Sequence, residues 1–203
     1  MTKLKRFKNK ILQFQQFERD CWVAKKAAEI SPGSQVLYAG AGACRYRHLF
    51  THCHYKTQDF CKLPSTIRKY GQIDYVCDIT NIPVPEESFD VILCTEVLEH
   101  VPQPIKVIQE FARILRRGGR LLLTVPLGCG LHQEPYIFYG GFTPYWYEHF
   151  LPQYGFKDIR VIPNGGFFKH YGQESIRVLS FLYPVSANGA KKWLLWLLKP
   201  LLI

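Results

Sequence analysis

The sequence predicts an α/β protein: a doubly wound, mostly parallel sheet with helices on both faces. Three observations carry this. The stretch QVLYAGAGACRYRHLF, residues 35–50, reads as a buried strand, a glycine turn at Gly40 and Gly42, and a helix start at Arg45. Apolar strand-like runs then alternate with amphipathic segments as far as residue 125, the pattern of a parallel sheet. Finally, Asp59, Asp78 and Glu96 stand where successive strands should end. A parallel sheet delivers all three to the crevice outside its carboxyl edge.

The chain has 203 residues, enough for one α/β domain with a full core. Leu4, Phe7, Ile11, Phe14, Phe17 and Cys21 recur every three or four residues, predicting an amphipathic helix within residues 1–30. Its first half carries Lys3, Lys5, Arg6, Lys8 and Lys10. Ser31-Pro32-Gly33 ends it. The first strand is expected at 35–39 with its helix at 45–51. The second runs from His54 to Gln58 and ends at Asp59. A short third near Asp74–Cys77 ends at Asp78. The fourth, Phe89–Thr95, is an apolar run suited to burial on both faces. Pro102–Arg116 is a helix with Ile105, Ile108, Phe111, Ala112 and Leu115 on one face, closed by Gly118-Gly119. Arg120–Val125 is the fifth strand, Pro144–Tyr154 a helix and Lys157–Ile162 a sixth strand. Beyond Asn164 come a helix-like piece, Gln173–Leu182, and an apolar tail. Ser175–Leu182 is the weak candidate for a seventh strand, which is otherwise missing or displaced. The organisation expected is an N-terminal amphipathic helix over 1–30, a cofactor-binding domain over 31–166 and a helical, apolar extension over 167–203.

Twenty-six lysines and arginines against 16 acids give a formal charge of +10, which favours anionic partners. The seven cysteines are odd in number and lack a CxxC pair, as in a reducing, cytoplasmic setting. His48, His52-Cys53-His54 and Cys61 match no zinc module, so no metal is expected. The Trp193–Leu198 run is shorter than the roughly 20 residues that span a bilayer. Its lysines and tryptophans beside leucines suit a membrane surface, or packing on the domain.

With the strand-end acids and the glycine turn in place, the chain resembles a class I S-adenosylmethionine-dependent methyltransferase, of the type 11-like group, with its Rossmann-like fold. The likeness rests on Tyr38-Ala39-Gly40-Ala41-Gly42 and on Asp78 through Pro83 to Phe89-Asp90. Glu96-Val97-Leu98-Glu99-His100 and Arg113-Ile114-Leu115-Arg116-Arg117-Gly118-Gly119 complete it. The resemblance implies methyl transfer with S-adenosylmethionine as cofactor. It implies that amides around Gly40 and Gly42 cradle the methionine end, that Asp59 takes the ribose, that Asp78 and Ile79 take the adenine, and that Thr95 and Glu96 close the site. Two positions depart from the pattern. Tyr38 replaces the usual acid, and Cys44 stands where the turn has a third glycine.

The aromatic stretch 127–150 is expected to face the acceptor. It resembles the same segment in methyltransferases of glycans and small metabolites, through His132-Gln133-Glu134-Pro135-Tyr136 and Phe142-Thr143. A base is needed if an oxygen or amine acceptor loses a proton; His132 is the first candidate, with Glu134 and His100 behind it. The expected acceptor is a small molecule, glycan or lipid. The absence of an Asn/Asp-Pro-Pro-Tyr-type motif speaks against nucleic acid. Weak contact with anionic membranes would make the protein peripheral. The alternative is a catalytically impaired cofactor-fold protein that binds a membrane surface or a partner. A dinucleotide-dependent oxidoreductase is the nearest other enzyme, but Arg45 occupies the third glycine position of its fingerprint. Oligomeric state is not legible.

Overall fold

The computed structural model describes residues 13–182. The basic first half of the N-terminal segment and the Trp193–Ile203 tail lie outside the described residues. Helix α1 spans Phe14–Ala28 and strand β1 Gln35–Ala39; β2 is His54–Asp59, β3 Tyr75–Val76 and β4 Phe89–Thr95. Helix α2 is Pro104–Ile114, β5 Leu115–Thr124, α3 Pro144–Phe150 and α4 Phe167–Leu182. The chain divides into two compact units. Val23–Val161 holds the sheet. The other comprises the segments 1–22 and 162–203. Within it, Phe14 is buried, Lys169 lies over its ring, and Asn164 donates to the Gln15 carbonyl.

All five strands are parallel, in the order β3-β2-β1-β4-β5. The order reverses between β1 and β4, and open parallel sheets bind ligands at that switch point. Side chains alternate across a strand. Leu37 and Ala39 of β1 and Ile92 and Cys94 of β4 join Val107, Ile108, Phe111 and Ile114 of α2 in one core. Val36, Tyr38, Val91 and Leu93 are buried on the opposite face. Pro104 opens α2, where its missing N–H costs no hydrogen bond.

One ion pair fastens α2 to the loop before β4. Glu110 Oε1 accepts the Ile82 N–H at 2.7 Å and Arg113 Nη2 at 2.7 Å. Arg113 also donates to the Val84 and Ile82 carbonyls at 2.9 and 3.0 Å. Burial pushes the Glu110 carboxyl up, but the bonds from Arg113 and Ile82 and the guanidinium charge outweigh it, leaving it below the ordinary glutamate value.

Three expectations are corrected. No α-helix covers 45–51: turns lead into a single 3-10 turn at Arg47–Leu49. Cys44, at φ +53°, puts a left-handed residue where the helix would begin, and Tyr46 and Phe50 are buried instead. Lys157–Ile162 forms no strand. Asp158 at φ +53° breaks its alternation, and Ile162 stays exposed. Ser175–Leu182 lies inside α4, so among the described residues the sheet ends with β5.

Candidate active site

The glycine turn sits at the carboxyl end of β1 and is tied to β2. Gly40 N–H donates to Gln58 Oε1 at 3.1 Å, Ala41 N–H to the Gln58 carbonyl at 2.9 Å, and Gly42 N–H to Asp59 Oδ2 at 2.9 Å. Gln58 Nε2 reaches on to the Cys77 carbonyl after β3. The amides of Gly40 and Gly42, expected to cradle a ligand, therefore point inward. What the turn offers is close approach. Gly40 and Gly42 have φ of +67° and +51°, values that favour residues without a Cβ. A Cβ on Gly40 would lie 2.3 Å from Val97 Cγ2, and one on Gly42 2.6 Å from Arg68 Nη1. Packing by Val97 thus requires glycine at position 40 by itself.

Asp59 is buried, and its other oxygen accepts the Cys61 N–H at 3.0 Å. A carboxylate offers about four acceptor sites. Two are filled by backbone, and two remain for a pair of ribose hydroxyls. Asp78 is exposed just past β3; its Oδ1 takes the N–H and hydroxyl of Thr80, both at 2.8 Å, and its second oxygen is open to a ligand. Ile79 beside it is buried and apolar, as an adenine neighbour should be. These residues fit an adenosine-bearing cofactor.

Tyr38 fills the acid's place as part of the core. It is buried against Tyr46, and its phenol pairs with Thr95 Oγ1 at 2.8 Å, linking the ends of β1 and β4. Cys44 is buried too, its thiol donating to the Gln72 carbonyl at 3.3 Å; burial pushes its pKa up.

Past β4 the chain turns sharply. Glu96 has φ +53°, rare for a residue with a side chain. Its N–H donates to the Thr124 carbonyl at 2.8 Å, and Oε1 accepts the Thr124 hydroxyl at 3.0 Å. Burial, then the charges of Glu96 and Glu99, push the pKa of the Tyr147 phenol of α3 up. The stretch 127–142 folds over this turn: the N–H groups of Phe138 and Tyr139 both donate to the Glu99 carbonyl. His100 and His132 meet with ring centroids 4.8 Å apart. Burial lowers the His100 pKa, as do the charges of His132 and Arg68, against a raising bond to the Tyr136 carbonyl. Its imidazole is therefore neutral at pH 7. Glu134, the remaining base candidate, is exposed. Gln58 and Arg68 are site residues with no signal in the sequence. Glu99, quoted there within its motif, is buried at the centre of this turn.

A glycine turn at the switch point, flanked by strand-end carboxylates, defines a nucleotide-cofactor protein of the doubly wound class. Residues 37–123 match the family described as "Methyltransferase domain". Over these residues the chain is similar to the class I S-adenosylmethionine-dependent methyltransferases, and the match implies S-adenosylmethionine as the cofactor. A human protein named "Probable tRNA methyltransferase 9B" is 31% identical over 55% of this chain and 26% of its own length. A ubiquinone biosynthesis O-methyltransferase of Xanthomonas oryzae is 42% identical over 26% of this chain and 23% of its own. The chain spans about a quarter of the length of these relatives. Phosphoethanolamine N-methyltransferase 2 of Haemonchus contortus, solved with S-adenosyl-L-methionine, superposes with a TM-score of 0.58 at 18% identity, covering 86% of this chain and 45% of that one. A putative sarcosine dimethylglycine methyltransferase from Galdieria sulphuraria gives 0.57 at 16%, covering 83% and 69%. At these identities the likeness establishes the fold.

Proposed function

We propose that the protein transfers a methyl group from S-adenosylmethionine to an oxygen or nitrogen of a small-molecule, glycan or lipid-like acceptor. The observation that carries this is the register of Asp59, Asp78 and Glu96 at the ends of β2, β3 and β4 around the glycine turn. When bound, the cofactor supplies an electrophilic methyl on a sulfonium. Asp59 holds the ribose, Asp78 and Ile79 the adenine. Gly40 and Gly42, beside Tyr38 and Cys44, admit the methionine end, and Thr95 and Glu96 close the site. Alignment of the acceptor is the main contribution, worth effective molarities of roughly 10⁵ M or more. Loss of the acceptor's proton falls to the cluster around His132 and His100, with Glu134 the exposed alternative. Residues 31–166 form the working domain; 1–30 and 167–203 flank it and contact anionic membrane surfaces weakly. No helix of the described residues is long and apolar enough to cross a membrane.

Tyr38 favours a second reading, a cofactor-fold protein with impaired catalysis, because a phenol bound to Thr95 replaces a carboxylate. Incubation with methyl-labelled cofactor and panels of phenols, glycans, phospholipids and amines tests both. Labelled product from one panel is expected. Transfer RNA is included because a relative carries that name. Label on RNA alone, or on nothing while the cofactor binds, overturns the reading.

A further inference from the structure

The ligating atoms of Glu99, His100 and His132 lie within 4.8 Å of one another. Glu99 Oε1 and His100 Nε2 are 3.8 Å apart. Each imidazole has its other nitrogen anchored on a backbone carbonyl: His100 Nδ1 on Tyr136, His132 Nδ1 on Gly130 at 2.9 Å. A carbonyl only accepts, so both Nδ1 atoms carry the proton and both Nε2 lone pairs are free to ligate. Gln133 Nε2 approaches His100 Nε2 at 3.3 Å, which requires that same lone pair. Metal-binding histidines are oriented in this way, through the nitrogen that does not ligate. The buried Glu99 supplies the charge.

We propose that Glu99, His100 and His132 bind a divalent transition-metal cation whose remaining position takes the oxygen of the methyl acceptor. Two imidazoles and a carboxylate suit Zn²⁺, Co²⁺ or Mn²⁺ better than Mg²⁺, which prefers oxygen ligands. Three protein ligands with an open place are the pattern of a catalytic site. Ligand distances of about 2.0–2.2 Å put ligating atoms about 3.3 Å apart, so the cluster closes by about 0.5–1.5 Å and Gln133 gives up its contact. Bound to the cation, an acceptor hydroxyl releases its proton to water at neutral pH, as zinc-bound water does with a pKa of about 7. The acceptor role rests on the methyltransferase reading, and it makes the two histidines ligands instead of direct bases. No metal is expected from the sequence, and this cluster departs from that: Glu99, His100 and His132 are brought together only by the fold.

The test is Co²⁺ titration of the chelator-stripped full chain, followed by visible absorption. One equivalent with the spectrum of a nitrogen- and oxygen-ligated cation is expected. His132→Gln, on the loop, and Glu99→Gln should each weaken it at least tenfold. His132→Gln should keep the wild-type melting temperature and affinity for S-adenosylhomocysteine. Chelation should stop methyl transfer without changing that affinity. Absence of the spectrum, unchanged Co²⁺ affinity in His132→Gln, or full methyl transfer in chelator overturns the proposal. Failure of wild-type protein to bind S-adenosylhomocysteine would instead sink the methyltransferase reading and leave the Co²⁺ result standing.

Discussion

Replacing Asp59 separates its two roles. In the folded protein each carboxylate oxygen takes one backbone N–H, from Gly42 at 2.9 Å and Cys61 at 3.0 Å. Hydrogen bonds to a charged group contribute about 1.5–3 kcal/mol each, so Asp59→Ala should cost about 3–6 kcal/mol. At about 2–4 °C per kcal/mol, the melting temperature falls by about 6–24 °C. Asp59→Asn keeps the volume but turns an NH₂ toward one of those donors, at about 1–3 kcal/mol. The amide also loses acceptor sites that ribose hydroxyls would use. Affinity for S-adenosylhomocysteine should therefore fall by about 5- to 150-fold, the equivalent of about 1–3 kcal/mol. Thermal melts and calorimetric titration of wild type and Asp59→Asn read the two effects. A variant that melts lower but binds normally makes Asp59 a scaffold for the turn. One that matches wild type in both refutes the geometry.

Tyr38→Phe removes only the hydroxyl paired with Thr95 and should cost about 1 kcal/mol in urea denaturation, a change that no loss of stability would contradict. Tyr38→Asp, which restores the acid of the methyltransferase pattern, puts a charge into a buried aromatic site and should lower stability sharply rather than improve cofactor binding. Glu110 has its folded pKa lowered, so its contribution is present above the unfolded value of about 4.3 and is lost as pH falls through the folded one. Glu110→Gln should flatten that acid limb in urea titrations at pH 3.5 and 7, and an unchanged slope would count against the ion pair. Full-length protein should sediment with anionic vesicles at low salt and dissociate as salt rises, and deletion of Trp193–Ile203 should weaken this. Protein that stays in the supernatant excludes the membrane contact.

Where burial alone dictates structure, the sequence was legible. Strand β4 is read to its last residue because an apolar run from Phe89 to Thr95 fits only a strand covered on both faces. Strand β1 and the placement of Asp59, Asp78 and Glu96 follow from the same logic. Local conformation was not legible. Nothing in Gly-Ala-Cys-Arg announces that Cys44 turns left-handed and cancels the expected helix, or that Asp158 does the same to a sixth strand. Strand β5 starts earlier than expected because Leu115 pairs with Phe89 before the register shift. The inward use of the Gly40 and Gly42 amides depends on Gln58 and Asp59, residues that become neighbours only when β2 pairs with β1. The meeting of His100 with His132 likewise needs the fold of the loop onto the Glu99 carbonyl.

S-adenosylmethionine is expected to bind in the crevice at the ends of β1, β2 and β4. Calorimetric titration of the full chain with S-adenosylmethionine, S-adenosylhomocysteine and NAD tests it most directly. Saturable one-to-one binding of the first two, weakened in Asp59→Asn, is expected, with no heat from NAD. Binding of NAD alone, or of none of the three, would contradict it.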